Sequence, residues 1–114
     1  MEIDSANQSY KFRGGVWMGF RSSTWPFGAL EVSKDQLAIM DENLTVTGKV
    51  ESKIEHRFTH DEIEKIKIVR VFPIIGYGIH IFPRDRTKGQ LFYFWYISFR
   101  FKKLINALKQ FGWL

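Results

Sequence analysis

The side chains that could do acid–base or metal chemistry in this sequence are three histidines and a short run of carboxylates. His60-Asp61-Glu62 sets three such groups in consecutive positions, with Glu64 close behind. A metal ion needs about three convergent protein ligands in defined geometry. Consecutive residues in a polar break read more simply as a solvated turn. His56 alternates with Ile54 and Phe58, which reads as a partly buried, hydrogen-bonded histidine, and His80, between Ile79 and Ile81, reads as an exposed strand residue. The sequence contains no Gly-x-Ser-x-Gly, phosphate-loop or His-Glu-x-x-His pattern. Gly76-Tyr77-Gly78 lacks the remaining glycine and the helix of a dinucleotide fingerprint. There is no cysteine, which removes disulfides, thiolate metal sites and thiol nucleophiles together. The sequence therefore predicts no catalytic residue, no metal site and no cofactor.

Two other constellations point to binding. Arg84, Arg86 and Lys88 share one polar turn, and Arg100, Lys102, Lys103 and Lys109 lie on or beside a C-terminal helical segment. Such a set suits phosphate, an anionic membrane or an acidic partner, with Arg84, Arg86, Lys88, Lys102 and Lys103 as the anion-binding candidates. The plainer account is a solvated turn and a solvated helix face. The net charge of +5 conceals a polarised chain. Residues 1–65 carry eight basic and eleven acidic side chains, whereas residues 66–114 carry nine basic and one acidic.

Aromatics form the second constellation, at 17% of residues, with 11 Phe, 4 Trp and 4 Tyr. This content is foreign to disordered chains. Tyr93, Trp95 and Phe82 are placed to form an outward platform, and Trp17, Trp25, Tyr93 and Trp95 are the candidates for a protein interface, because large apolar side chains turned outward usually mark contacts. Trp113 belongs either to that surface or to the core. Aromatics interleaved with basic residues also suit single-stranded nucleic acid, but the RNA-recognition aromatic motif is absent, so a nucleic-acid partner is disfavoured.

The elements that must position these residues are mostly strands. At 114 residues the chain has the size of one domain. Residues 1–8 read as a polar leader and residues 9–114 as the domain. Met1-Glu2-Ile3-Asp4 is not a secretory signal, and the longest apolar run, Leu91 to Ile97, is far short of the roughly 20 residues of a spanning helix. The expectation is a cytoplasmic protein, with peripheral attachment to a membrane as the alternative.

Ala29–Ser33 and Gln36–Met40 alternate around Lys34-Asp35 and predict a hairpin with Leu30, Val32, Leu37 and Ile39 buried. Asp41-Glu42-Asn43 reads as a polar break. Leu44–Val50 reads as a further strand with a bulge at Gly48, Lys53–Phe58 as another, and Ile66–Phe72 as a β-branched strand. Pro73–Gly78 reads as a turn, Tyr77–Phe82 as a strand and Gln90–Ile97 as a last strand apolar on both faces. The adjacent glycines of Arg13-Gly14-Gly15-Val16 predict a bend or bulge in the first strand. Phe101, Leu104, Ile105, Leu108 and Phe111 follow helical spacing, with Ser98 as the N-cap and Gly112 just past the end.

Six or seven short antiparallel strands followed by one amphipathic helix make a mainly β fold, a barrel or sandwich with the helix across one open end. Three stretches resemble the pleckstrin-homology-like domains, in particular small bacterial PH-like and GRAM-like proteins. They are Trp25-Pro26-Phe27-Gly28-Ala29-Leu30-Glu31-Val32-Ser33-Lys34-Asp35-Gln36-Leu37, Phe58-Thr59-His60-Asp61-Glu62-Ile63-Glu64-Lys65-Ile66, and the segment from Gly78-Ile79-His80-Ile81 to Gln110. The resemblance implies a split barrel capped by the C-terminal helix, acting as a ligand-binding or scaffolding module without catalytic apparatus. Lys11, Arg13 and Arg21 do not match the basic motif with which such domains hold phosphoinositides. The expected partners are therefore another protein or a second copy of the chain. The alternative is an anionic lipid or phosphate ligand held by the basic C-terminal half.

Overall fold

The computed structural model describes residues 8–19, 21–71, 76–85, 91–97 and 100–114. It contains seven antiparallel strands and a C-terminal helix: β1 (Ser9–Met18), β2 (Arg21–Ser33), β3 (Leu37–Leu44), β4 (Val50–Phe58), β5 (Ile63–Val71), β6 (Gly76–Pro83), β7 (Phe92–Ile97) and α1 (Phe101–Gln110). The strands form one sheet in the order β4-β3-β2-β1-β7-β6-β5. Two meanders are thus joined through β1 and β7, and the sheet is open between β4 and β5 rather than closed into a barrel. One apolar cluster nevertheless draws from all seven strands and the helix. It includes Val16, Leu30, Ile39, Phe58, Ile66, Ile81, Phe94, Leu104 and Leu108. A single core with contributions from both ends of the strand order requires the sheet to curl around it.

The hairpin of β2 and β3 pairs Leu30 with Ile39 and Val32 with Leu37, all four fully buried. The break expected at Asp41-Glu42-Asn43 is absent, because β3 continues to Leu44 and Glu42 is buried. Leu44–Val50 is not a strand. Thr45 donates its N–H to Lys49 and accepts from Gly48, and Gly48 lies at φ 88°, so this segment is the β3–β4 turn. The left-handed backbone there needs glycine. β5 begins at Ile63, earlier than expected. Phe72 and Pro73–Ile75 lie outside the described residues, and Gly76–Gly78 already belong to β6. β7 begins at Phe92 rather than Gln90 and sits between β1 and β6, a central place that suits its two apolar faces.

Two of the three ladder irregularities concern the first four strands. Gly14 pairs with Gly28 but Val16 pairs with Ser23, so the four β2 residues Thr24–Phe27 stand opposite Gly15 alone and bulge out of the ladder beside the β1 glycines. Pro26 has no N–H to donate, so it loses nothing there. The second irregularity, in β4, makes Glu51 the extra residue between Val50 and Ser52.

Helix α1 buries Phe101, Leu104, Ala107 and Leu108 and exposes Lys102, Lys103, Asn106, Lys109 and Gln110. Each fully buried leucine contributes about 1.5–3 kcal/mol. Its N-cap position is Arg100, without a side-chain cap; the expected cap, Ser98, lies outside the described residues. The C-terminus is closed firmly. Gly112 adopts φ 79°, its N–H bonds the Lys109 carbonyl, and the Trp113 N–H bonds the Leu108 carbonyl at 2.8 Å. These are the paired bonds of a Schellman motif. Trp113 is therefore a core residue: its indole N–H donates to the Ser33 carbonyl at 2.6 Å and its ring stacks on His60 at 3.7 Å.

Candidate functional site

The outer surface of the sheet is divided into two unlike halves. Across β1–β4 it is a lattice of charges. The register sets Lys11 beside Glu31, Glu31 beside Ala38 and Ala38 beside Arg57; the next row runs Arg13, Ala29, Met40 and Glu55. Ala29, Ala38 and Met40 are buried although they stand in these outward rows, beside the long side chains of Arg13, Glu31, Glu55 and Arg57. Arg57 pairs with Glu55 at 3.1 Å and Glu31 at 3.5 Å.

At the end of this lattice the buried Glu42 lies 2.7 Å from Lys11 Nζ and 2.8 Å from Arg13 Nη1. Lys11 donates a hydrogen bond to Oε2. Arg13 donates to the Pro26 carbonyl, and its contact with Oε1 is ionic without hydrogen-bond alignment. Burial pushes the Glu42 carboxyl up, but the contacts and charges of Lys11 and Arg13 outweigh it and hold the pKa below the ordinary carboxylate value. This half of the surface is self-neutralised.

Across β1, β7, β6 and β5 the outer face is aromatic and bordered by lysine. Phe92 and Phe94 point into the core, so alternation turns Tyr93 and Trp95 outward. Trp17 pairs with Tyr93, Tyr93 with His80, and His80 with Lys67, in one row. Tyr93 and His80 stack at 4.1 Å, His80 and Phe82 meet at 3.9 Å, and Lys65 Nζ stands 4.9 Å from the Phe82 ring centre. Trp17 is 45% exposed, and its indole N–H is anchored on the Gly19 carbonyl at 2.6 Å.

In the adjoining row Trp95 lies between Gly15 and Gly78. A Cβ on Gly15 would stand 1.9 Å from Trp95 Nε1, so only glycine leaves room for the indole. Trp25 is 63% exposed and Phe27 41% exposed, both on the β2 stretch that leaves the ladder. The structure thus brings together three of the four residues expected at a protein interface, Trp17, Tyr93 and Trp95. Trp25 lies on the β2 stretch outside the β1 ladder. His80 is half-buried within this surface, not a freely exposed strand residue. Phe82, expected beside Tyr93 and Trp95, joins this surface through His80. Sequence reasoning missed His80, whose alternation with Ile79 and Ile81 was the available signal.

The remaining candidates fall elsewhere. A cleft of about 350 Å³ near the β4–β5 connection is lined by His56, Phe58, Asp61, Glu62, Arg84, Asp85 and neighbours. His56 is exposed rather than partly buried, with its ring 4.3 Å from Phe58 and 4.8 Å from Phe92. His60 turns away from Asp61 and Glu62, its Nε2 lying 2.7 Å from the Lys34 carbonyl. Glu62 reaches back to the N–H and hydroxyl of Thr59, and these bonds lower its pKa. Among the described residues no group of three or more such ligands is placed to hold a metal ion.

Arg84 faces this carboxylate-rich cleft, whereas Lys103 lines a separate one of about 330 Å³ with Tyr10, Lys11 and Asn106. Lys102 is exposed on the helix. Arg86 and Lys88 lie outside the described residues. Among the described residues no helix is long and apolar enough to cross a membrane.

No family model matches the chain, and no curated protein matches it in sequence.

Proposed function

We propose that this chain is a non-catalytic binding module of pleckstrin-homology-like architecture that docks a protein partner on the aromatic outer face of β1, β7 and β6. The carrying observation is the row Trp17–Tyr93–His80 with Trp95 beside it, an outward aromatic surface on the central strands of a sheet whose other half is self-neutralised. Two meanders joined through β1 and β7, with the helix packed on the core, support the architectural part of the reading. Rigid aromatics at the centre of a contact carry most of its energy. An anion-binding role draws less support, since Arg84 sits among Asp61, Glu62 and Asp85, and Lys11, next to Lys103, is already paired with Glu42.

The test is capture of a partner by the tagged full-length chain, followed by titration of that partner against Trp17→Ala and Tyr93→Ala. Each substitution should weaken binding by roughly thirtyfold, the effect of losing about 2 kcal/mol. Undiminished partner binding by both variants would refute the reading. Salt-sensitive sedimentation with anionic vesicles, lost on neutralising Lys102 and Lys103, would replace it with the anionic-surface alternative.

A further inference from the structure

Among the described residues the strand order leaves one edge of β4 and one edge of β5 without a neighbouring strand. Unpaired strand edges invite another strand, and proteins usually guard them with charge. β5 is guarded. Its outward residues include Lys65 and Lys67, so antiparallel pairing of β5 with itself about Ile66 or Lys67 sets lysine against lysine, and pairing about Ile68 brings no opposite charges to Lys65 or Lys67. β4 is different. It has nine residues without proline or glycine, and all but Phe58 are exposed. Ile54 lies on the core-facing side yet is 52% exposed.

We infer that β4 is a homodimer edge, on which the β4 of a second copy pairs antiparallel about a two-fold axis through Ile54. Antiparallel pairing about Ile54 sets Ile54 against the partner's Ile54 and Lys53 against the partner's Glu55. The symmetry repeats the Lys53–Glu55 pair on the other side of the axis. Further out, Arg57 meets the partner's Glu51, the bulged residue at the end of the strand. Every outward pair in this register joins opposite charges, the arrangement that stabilises cross-strand neighbours. Sliding by two residues, the smallest step that keeps the same side chains on the same face, destroys it. One direction sets Lys53 against Lys53 and Glu51 against Glu55; the other sets Glu55 against Glu55 and Lys53 against Arg57. β4 therefore encodes one self-complementary register, and the contact is isologous and closes at two subunits.

The dimer is independent of the aromatic face. A single strand edge buries less than the roughly 1,200 Å² of a standard interface, so it is expected at high protein concentration rather than at assay dilution.

Sedimentation equilibrium from micromolar to millimolar full-length chain should show a monomer–dimer equilibrium. Lys53→Glu and Glu55→Lys each place two like-charge pairs across the axis, and each variant should be monomeric. The double variant, and an equimolar mixture of the two single variants, should both recover the dimer. Because the chain has no cysteine, Ile54→Cys adds a single thiol. Directly opposed residues of antiparallel strands have Cα atoms about 4.5–5.5 Å apart, within disulfide reach. Ile54→Cys should therefore oxidise to a covalent dimer, whereas Ile68→Cys on β5 should not. A wild-type chain monomeric at millimolar concentration, a dimer indifferent to both charge reversals, equal cross-linking at Ile68→Cys, or assembly beyond the dimer would each overturn the inference. Trp17→Ala should leave the dimer intact, and Lys53→Glu should leave partner capture intact, so the two readings fail separately.

Discussion

Gly15→Ala tests whether the aromatic surface depends on a missing side chain. An ideal Cβ at this position would lie 1.9 Å from Trp95 Nε1, 2.0 Å from Cε2 and 2.4 Å from Cζ2. All three atoms belong to one indole, so the strand need not move, but the ring must swing off β1. Overpacking of this kind costs about 1–3 kcal/mol. Alanine in a strand regains about 0.5–1 kcal/mol relative to glycine. The expected net loss is therefore about 0–2.5 kcal/mol, read by urea denaturation followed by circular dichroism. In a Trp95→Ala background the obstacle is gone, and Gly15→Ala should be neutral or slightly stabilising. The double-mutant cycle should thus return a coupling of about 1–3 kcal/mol. Gly14→Ala is the control. Its Cβ would stand 2.1 Å from the Trp95 backbone carbonyl, which cannot step aside, so Trp95→Ala should not rescue it. Equal losses for Gly15→Ala with and without Trp95 would refute the argument that this glycine exists to seat the indole.

Glu42→Gln should destabilise the protein by about 1–2 kcal/mol at neutral pH, less than the 3–5 kcal/mol of a fully buried pair, because Lys11 and Arg13 remain partly in water. The Glu42 pKa is depressed in the folded state, so its contribution is complete above the unfolded value of about 4.3 and fades as pH falls through the lower folded value. The gap between wild type and variant, measured by denaturation at a series of pH values, should therefore narrow in acid; a constant gap would contradict the ion-pair account. Trp113→Ala removes a buried indole and its bond to the Ser33 carbonyl and should cost about 3–5 kcal/mol. Gly112→Ala leaves the indole in place and should cost about 1–2 kcal/mol for the left-handed backbone alone, read in the same assay.

How much of this was legible in the sequence follows the range of the interactions involved. The β2–β3 hairpin was readable because Leu30, Val32, Leu37 and Ile39 alternate and pair locally. The helix was readable because its apolar stripe repeats at helical spacing within ten residues. The irregularity beside Gly14-Gly15 was visible for the same local reason, although the residues that bulge belong to β2 rather than β1. Its purpose was not, since Trp95 lies at the other end of the chain and reaches Gly15 only through the β1–β7 pairing. Glu42 looked like part of a polar break because the residues that pair with it, Lys11 and Arg13, are supplied by β1. Thr45–Lys49 looked like a strand because Thr45 and Val46 favour one, but Gly48 in the left-handed region decides for a turn. His60 is the clearest displacement: its neighbours Asp61 and Glu62 suggested chemistry, while its ring belongs to the packing of Trp113 and the Lys34 carbonyl.

The strand order also decides where the charge polarity of the chain goes. Had the two halves interleaved, the acidic residues 1–65 would have neutralised the basic residues 66–114 on every surface. They do not interleave. Within the sheet β1–β4 form one block and β5–β7 the other, laddered together through β1 and β7. The acids of the first block are used at home: Glu42 by Lys11 and Arg13, Asp41 by Arg21 at 3.2 Å, and Glu55 by Arg57 and Lys53. Lys65 and Lys67 border the aromatic row on a strand whose neighbour, β6, carries no carboxylate. The charge bordering that row is thus positive in consequence of the topology, not of net composition. The protein surface that fits it carries carboxylates around an apolar centre, which pairs the lysines without burying them and leaves the contact energy to the aromatic side chains.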